Sequence, residues 1–364
     1  MSTEKNLAGA VLTIDLDAVA DNYRTILKKM NGVPSAAVVK ADGYGLGAEK
    51  VGPALAAAGC TIFFVAHINE GIGLRAVLPD ADIHILNGLL PGTEATFREH
   101  RLVPVLGSLD EIDAWSAYGP LPCDIHVDTG MLRLGLPPAE LATLVDDPGR
   151  LAGLDIRLVM SHLASADEAG SDQNAIQLAK FQQARQTLAM GSTCFANSSG
   201  VFLGSDYHFD LARPGVALYG VNPTPAGPNP MTGTITLKAR ILQVRDAQPG
   251  ETVGYGAAFG VNKTSKIATL PVGYADGFLR SLSNAGQGMI DGIPVPLVGR
   301  VSMDLITLDV TAVPDAQRQP GQWVELIGAA NPVDAVADAA GTIGYEILTS
   351  LGARYHRVYT GAGA

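Results

Sequence analysis

The sequence predicts an α/β fold, a (β/α)8 TIM barrel followed by a mostly β C-terminal domain, on three observations. Short apolar runs alternate with alanine-rich stretches through the first part of the chain, the rhythm of barrel strands and helices. A proline- and glycine-rich segment at 222–230 breaks that rhythm, and closely spaced β-rich runs follow it. Finally, residues able to do chemistry fall at the ends of the early runs, where a barrel places its active groups.

Residues 11–15 form a short strand-like run, and 16–30 have the spacing of an amphipathic helix. Strand candidates then recur at 36–40, 61–66, 82–86, 102–106, 124–128, 156–161, 193–197 and 216–219. The stretches 52–58, 141–144 and 174–189 between them read as helices. A doubly wound sheet would carry a Gly-x-Gly-x-x-Gly turn after its first strand, and none occurs. Residues 16–235 are therefore expected to form the barrel and 236–364 the β-rich domain, with helical signals near 333–340 and 345–351.

Composition narrows the function classes. The 364 residues are 47% hydrophobic and 17% charged, a globular balance, and the net charge of −11 disfavours nucleic-acid binding. Cys60, Cys123 and Cys194 are scattered, which fits a reducing compartment and gives no metal-binding spacing. The apolar run at 7–14 is flanked by Glu4, Asp15 and Asp17 and lacks a cationic leader. Residues 51–69 carry no formal charge, but Gly52, Pro53 and Gly59 interrupt them, so they read as a helix end and a buried strand. A cytoplasmic protein without a membrane span is expected.

The chemistry centres on Ala36-Ala37-Val38-Val39-Lys40-Ala41-Asp42-Gly43-Tyr44-Gly45, an apolar run ending in one lysine and a glycine-bearing turn. Such an amine is placed either as a Schiff-base lysine or as an ordinary strand cap reaching water. Asp128 ends the fifth run, Ser161-His162 the sixth, and Asn197-Ser198-Ser199-Gly200 follows the seventh. Arg213-Pro214-Gly215 immediately precedes the eighth. Ser198 and Gly215 stand where barrels often bind phosphate. Each residue alone has a bland reading, His162 as a core histidine and Arg213 as a surface cation, but all share one rim.

Together these segments resemble the alanine racemase family. The matching pieces include Val127-Asp128-Thr129-Gly130-Met131-Leu132-Arg133-Leu134-Gly135 and Arg213-Pro214-Gly215-Val216-Ala217-Leu218-Tyr219-Gly220. Val253-Gly254-Tyr255-Gly256, Pro271-Val272-Gly273-Tyr274-Ala275-Asp276-Gly277 and Val298-Gly299-Arg300-Val301-Ser302-Met303-Asp304 extend the match beyond the barrel. The resemblance implies pyridoxal 5'-phosphate as cofactor and no metal. It implies a barrel with a β domain joined by the N-terminal strand, residues 9–15, and interconversion of L- and D-alanine for peptidoglycan precursors or D-alanine catabolism. It also implies that Lys40 and Tyr255 are the two bases, and that Tyr44, Ser198, Gly215 and Val216 hold phosphate. His162 would pack on the cofactor ring, Arg213 would face its pyridine nitrogen, and Arg133 and Met303 would receive the substrate carboxylate end. Tyr255, Tyr274 and Met303 would reach the site from the partner subunit of a homodimer.

Two bases are what racemisation requires, one on each side of the substrate carbon. A phenol has a reference pKa of about 10 and needs nearby cations to act as a base at neutral pH. Arg213, and His162 if it bonds to the phenol, are the candidates. An arginine at the pyridine nitrogen donates a hydrogen bond without protonating it, which weakens the electron sink and suits racemisation over transamination or decarboxylation. The alternatives are a racemase of another small amino acid such as serine and a non-enzymatic pyridoxal-phosphate carrier.

Three departures from the family pattern stand out. His126 occupies the place of a lysine that is often carbamylated, so His126 or a small anion would have to support Arg133. Ala353 replaces a phosphate-binding tyrosine, leaving Tyr355 as a possible substitute, and Ser302 and Leu305 replace the usual cysteine and glutamine around Met303.

Overall fold

The computed structural model describes residues 7–362 and divides the chain into two compact units. One unit holds Val19–Thr232; the other combines the chain up to Ala18 with the chain from Gly233 onward.

In the first unit seven parallel strands follow one another in sequence order: β2 (Ala37–Val38), β3 (Ile62–Val65), β4 (Asp82–Ile85), β5 (Leu102–Leu106), β6 (Pro122–His126), β7 (Asp155–Met160) and β8 (Ser192–Cys194). Their apolar runs are buried because helices cover the outer face of a parallel sheet and side chains fill the inner one. Helices Leu16–Met30, Ala48–Ala57 and Asp172–Leu188 stand where the apolar spacing predicts helices. Residues 51–69 hold most of the Ala48–Ala57 helix, then β3 and the start of a helix at Ile68; Gly52 and Pro53 lie inside the first helix without breaking it, and Gly59 falls after its end.

The eighth stave differs from the expected one. Bridges Cys194↔Leu211 and Ser35↔Ala212, with Arg213 N–H donating to Ala196 O at 2.8 Å and Val38 N–H to Pro214 O at 2.9 Å, place residues 211–214 between β8 and β2. The run at 216–219 is instead a buried 3-10 turn, Val216–Tyr219. Pro214 has no N–H to extend a ladder, and the Ser198 hydroxyl accepts from Gly215 N–H (2.8 Å) and Ala217 N–H (3.2 Å), curling the chain. Arg213 thus sits within the closing strand.

The barrel interior is not wholly apolar. His84 on β4 and Asp124 on β6 meet at 2.6 Å across the strand between them, both buried, and Phe64 stacks on the His84 ring at 4.6 Å. Groups on alternate strands touch only through the interior, so this pair lies inside the barrel.

The second unit is β-rich. Strand β1 (Ala10–Asp15) runs antiparallel to β9 (Ile235–Arg240) with Leu12 opposite Leu237, and parallel to the last strand, His356–Thr360, with Val11 opposite His356. Gln287–Ile290, Ile293–Pro296 and Trp323–Ile327 complete that six-stranded sheet. A second, antiparallel sheet joins Gln243–Ala247, Ser265–Leu270 and Ile306–Asp309. Two helices, Val333–Ala340 and Gly344–Ser350, lie in the same unit. Among the described residues no helix is long and apolar enough to cross a membrane, and no group of three or more His, Cys, Asp or Glu could hold a metal ion. The three cysteines are free and buried.

Candidate active site

Lys40 stands one residue beyond β2, after Val39, and opens an unusual turn. Ala41, Asp42, Gly43, Tyr44 and Gly45 have φ of 54°, 55°, 62°, 55° and 82°, one left-handed turn in which three residues carry a Cβ. Left-handed helical backbone costs roughly 1–2 kcal/mol per non-glycine residue, so other contacts must hold it. Asp42 accepts from Ala48 N–H at 2.8 Å, and the Glu70 carboxylate accepts from Ala41 N–H at 2.6 Å, Ala66 N–H at 2.8 Å and His67 N–H at 2.9 Å. Glu70 thereby ties the lysine turn to the end of β3. Sequence reading missed it, although an acid three residues after the start of a helix is a capping signal. Burial first, then the Arg133 and Arg213 charges, lowers the Lys40 pKa against the opposing effect of Glu70. The lowered pKa shifts the amine toward its neutral, nucleophilic form.

Arg213 is buried, and among the described residues none of its hydrogen-bond partners is a carboxylate. Its guanidinium donates to Cys194 Sγ at 3.1 Å and Ser161 O at 2.8 Å, contacts His162 Nδ1 at 3.3 Å, and lies 5.8 Å from the Phe64 ring centroid. Burial and Arg213 push His162 well below the ordinary histidine range, so it is a neutral ring. Burial, and then the Arg213 charge, thus disfavour the charged state in which His162 would supply positive charge to a phenol.

Next to them lies a cradle shaped by an absent side chain. Tyr44 and Tyr219 stack with centroids 4.6 Å apart, Tyr219 donates to Val38 O at 3.1 Å, and the Tyr44 hydroxyl reaches over Gly215. A Cβ on Gly215 would stand 2.2 Å from Tyr44 Oη, inside contact distance. Tyr44, Ser198, Gly215 and Val216 therefore converge, as expected of an anion site. We expect Gly215→Ala to cost about 1–3 kcal/mol by displacing Tyr44, lowering anion or cofactor affinity roughly tenfold in an absorbance titration; unchanged affinity would contradict the cradle.

The loop after β6 presents Arg133. Asp128 accepts from Gly130 N–H (2.9 Å), Met131 N–H (2.9 Å) and Leu132 N–H (3.2 Å), which closes the loop and leaves the Arg133 side chain exposed. Burial, followed by Arg213, lowers His126 to about 4, so this position carries no charge at neutral pH. Arg133 and His126 are not hydrogen-bonded to each other, contrary to the first of the two arrangements expected for that pair.

The remaining predicted residues lie in the second unit. Tyr255 begins the 3-10 turn Tyr255–Ala257 and is 73% exposed; Tyr274 and Met303 are 44% and 54% exposed. Tyr274 N–H donates to Ser302 O and Ala275 N–H to Met303 O, both at 3.0 Å, so these two segments share one surface. The Ser302 hydroxyl is engaged in its own turn, donating to Leu305 O at 2.7 Å. Tyr355 is buried in this unit, its phenol oxygen has no hydrogen-bond partner among the described residues, and burial followed by the Asp276 charge raises its pKa.

A half-buried lysine, a buried arginine and the Tyr44–Gly215 contact on one barrel rim, with a β-rich domain appended, define the class: a (β/α)8 barrel enzyme with a C-terminal β domain. The family models described as "Alanine racemase, N-terminal domain" and "Alanine racemase, C-terminal domain" match residues 14–223 and 234–359. The chain belongs to the alanine racemase family. It is 47% identical to the alanine racemase of Rhizobium meliloti (strain 1021), covering 97% of each chain. It is 50% identical to that of Rhodospirillum rubrum, covering 97% of this chain and 96% of the relative. A crystal structure of alanine racemase from Bartonella henselae with covalently bound pyridoxal phosphate superposes with a TM-score of 0.93 at 43% identity, covering 97% of this chain and all of that one.

Proposed function

We propose that this chain interconverts L- and D-alanine with pyridoxal 5'-phosphate, by a two-base mechanism in a homodimer with shared active sites. The observation that carries the reading is Lys40, an amine of lowered pKa on the same rim as a buried Arg213 that has no carboxylate among its hydrogen-bond partners in the described residues. The residues present fit the cofactor. Tyr44, Ser198, Gly215 and Val216 would hold its phosphate, Lys40 its aldehyde carbon, and Arg213 its ring nitrogen, with His162 against the ring. Bound there, it supplies an electron sink that acidifies the substrate Cα–H.

The protein's own groups do the rest. Lys40 Nζ takes or returns a proton on one side of Cα, and Tyr255 Oη serves the other. Arg133 and Met303 receive the carboxylate end, with Tyr274 beside Met303. Arg213 would donate a hydrogen bond to the ring nitrogen without protonating it, which would weaken the electron sink and suit racemisation over side reactions. The exposure of Tyr255, Tyr274 and Met303 on one chain suits delivery to a partner's site. D-alanine made in the cytoplasm would feed peptidoglycan precursors. The reverse direction would serve catabolism, the role in the name of the 48% identical Mesorhizobium japonicum relative, "Alanine racemase, catabolic".

The test is racemisation of an amino-acid panel with added pyridoxal phosphate over a range of protein concentrations. Alanine is expected to have the highest kcat/KM, with specific activity falling on dilution below the dimer dissociation constant. Higher kcat/KM for serine would move the substrate; no racemisation of any amino acid would overturn the reading.

A further inference from the structure

We infer that Gln177, on the helix Asp172–Leu188, is a positioning residue that sets the Arg133 and His162 loops in register. The inference rests on the racemase reading for its kinetic consequences and on geometry alone for the clamp. Gln177 is fully buried, and its side-chain amide is directed at the rim loops. Its Nε2 donates to Thr129 Oγ1 at 3.1 Å and to His162 O at 2.9 Å, while its Oε1 accepts from Ala164 N–H at 2.8 Å. One amide therefore spans the loop after β6 and the loop after β7.

The knot continues on both sides. Thr129 Oγ1 lies 2.7 Å from Ser161 Oγ, and the Ser161 carbonyl accepts from Arg213. Gln173, one helical turn before Gln177 on the same face, donates to Gly130 O at 3.1 Å. Arg133 stands three residues beyond Gly130, so the helix fixes the base of the loop that carries it. A buried amide meeting three backbone or hydroxyl partners costs little while every bond is made and much when one is lost. All three bonds go to the protein's own loops, so the clamp acts through Arg133 and His162.

Three variants of the holoenzyme test this. Gln177→Met removes all three bonds; Gln177→Glu keeps the shape and the acceptor but sets an oxygen against the His162 carbonyl; Gln173→Ala touches only the Arg133 loop. Gln177→Met and Gln177→Glu are expected to lower kcat/KM for alanine about 10- to 100-fold, the scale of a misplacement near 1 Å. Gln173→Ala should raise KM a few-fold with kcat unchanged. Amide hydrogen exchange at 129–134 and 161–166 should quicken in both Gln177 variants while the helix stays protected. Folded Gln177 variants with kcat and KM within twofold of the parent and unchanged loop exchange would overturn the inference, even if their Tm fell. If Gln177→Met does not fold, Gln177→Glu and Gln173→Ala decide it. A parent enzyme that racemises nothing would sink the functional reading instead, and the exchange data would still judge the clamp.

Discussion

Lys40→Ala is expected to abolish both the visible absorbance of bound cofactor and racemisation, the latter by more than about 10³-fold. The size follows from the lysine's two duties. It is the rim amine proposed to hold the cofactor aldehyde, and the same nitrogen is one of the two proposed bases. The left-handed turn behind it, pinned by Glu70 and Asp42, has no evident purpose except to aim this side chain and Tyr44, so backbone strain is spent on a group whose removal should be felt at once. Added small amines should restore part of the activity by replacing the missing base. Full racemisation by Lys40→Ala without added amine, or an unchanged absorbance spectrum, would refute the assignment.

Tyr255→Phe is expected to separate the two faces of the reaction. Interconversion should fall about 10²- to 10⁴-fold, the usual contribution of a positioned proton-transfer group. Exchange of the Cα hydrogen with deuterium should persist for one enantiomer, because Lys40 still serves that side. Cofactor absorbance should be retained, since none of the cofactor-holding groups is altered. The measurement is proton NMR of each alanine enantiomer in D2O alongside a coupled assay of the opposite enantiomer. Racemisation of both enantiomers at the parent rate would remove Tyr255 from the mechanism and leave a pyridoxal-phosphate carrier or a different second base to be considered.

Much of the site is legible in the order of the residues. The strand rhythm places Lys40, His162 and Ser198 at the C-terminal ends of barrel strands, because a short apolar run followed by a polar turn is what a buried parallel strand and its exit loop look like in one dimension. The proline-rich segment marks the change of texture, since proline can neither continue a helix nor sit in a central strand. Motif order supplies Tyr255, Tyr274 and Met303, which no periodicity singles out.

Folding settles what depends on partners distant along the chain. Residues 216–219 are as apolar as a strand, and only the Ser198 hydroxyl and the preceding proline make them a 3-10 turn and move Arg213 into the closing stave. His162 looks able to carry charge until burial, with Arg213 brought against it, disfavours the charged form. Glu70 and Gln177 sit in helices where polar residues usually face water; a capping signal marks Glu70 for its own helix start, but nothing local ties either residue to the loops that bear Lys40, Arg133 and His162. The amino-acid order alone establishes which groups are available and the rim on which they stand. Their charge states and orientations come only with the fold, because desolvation and hydrogen bonding act through space and not along the chain.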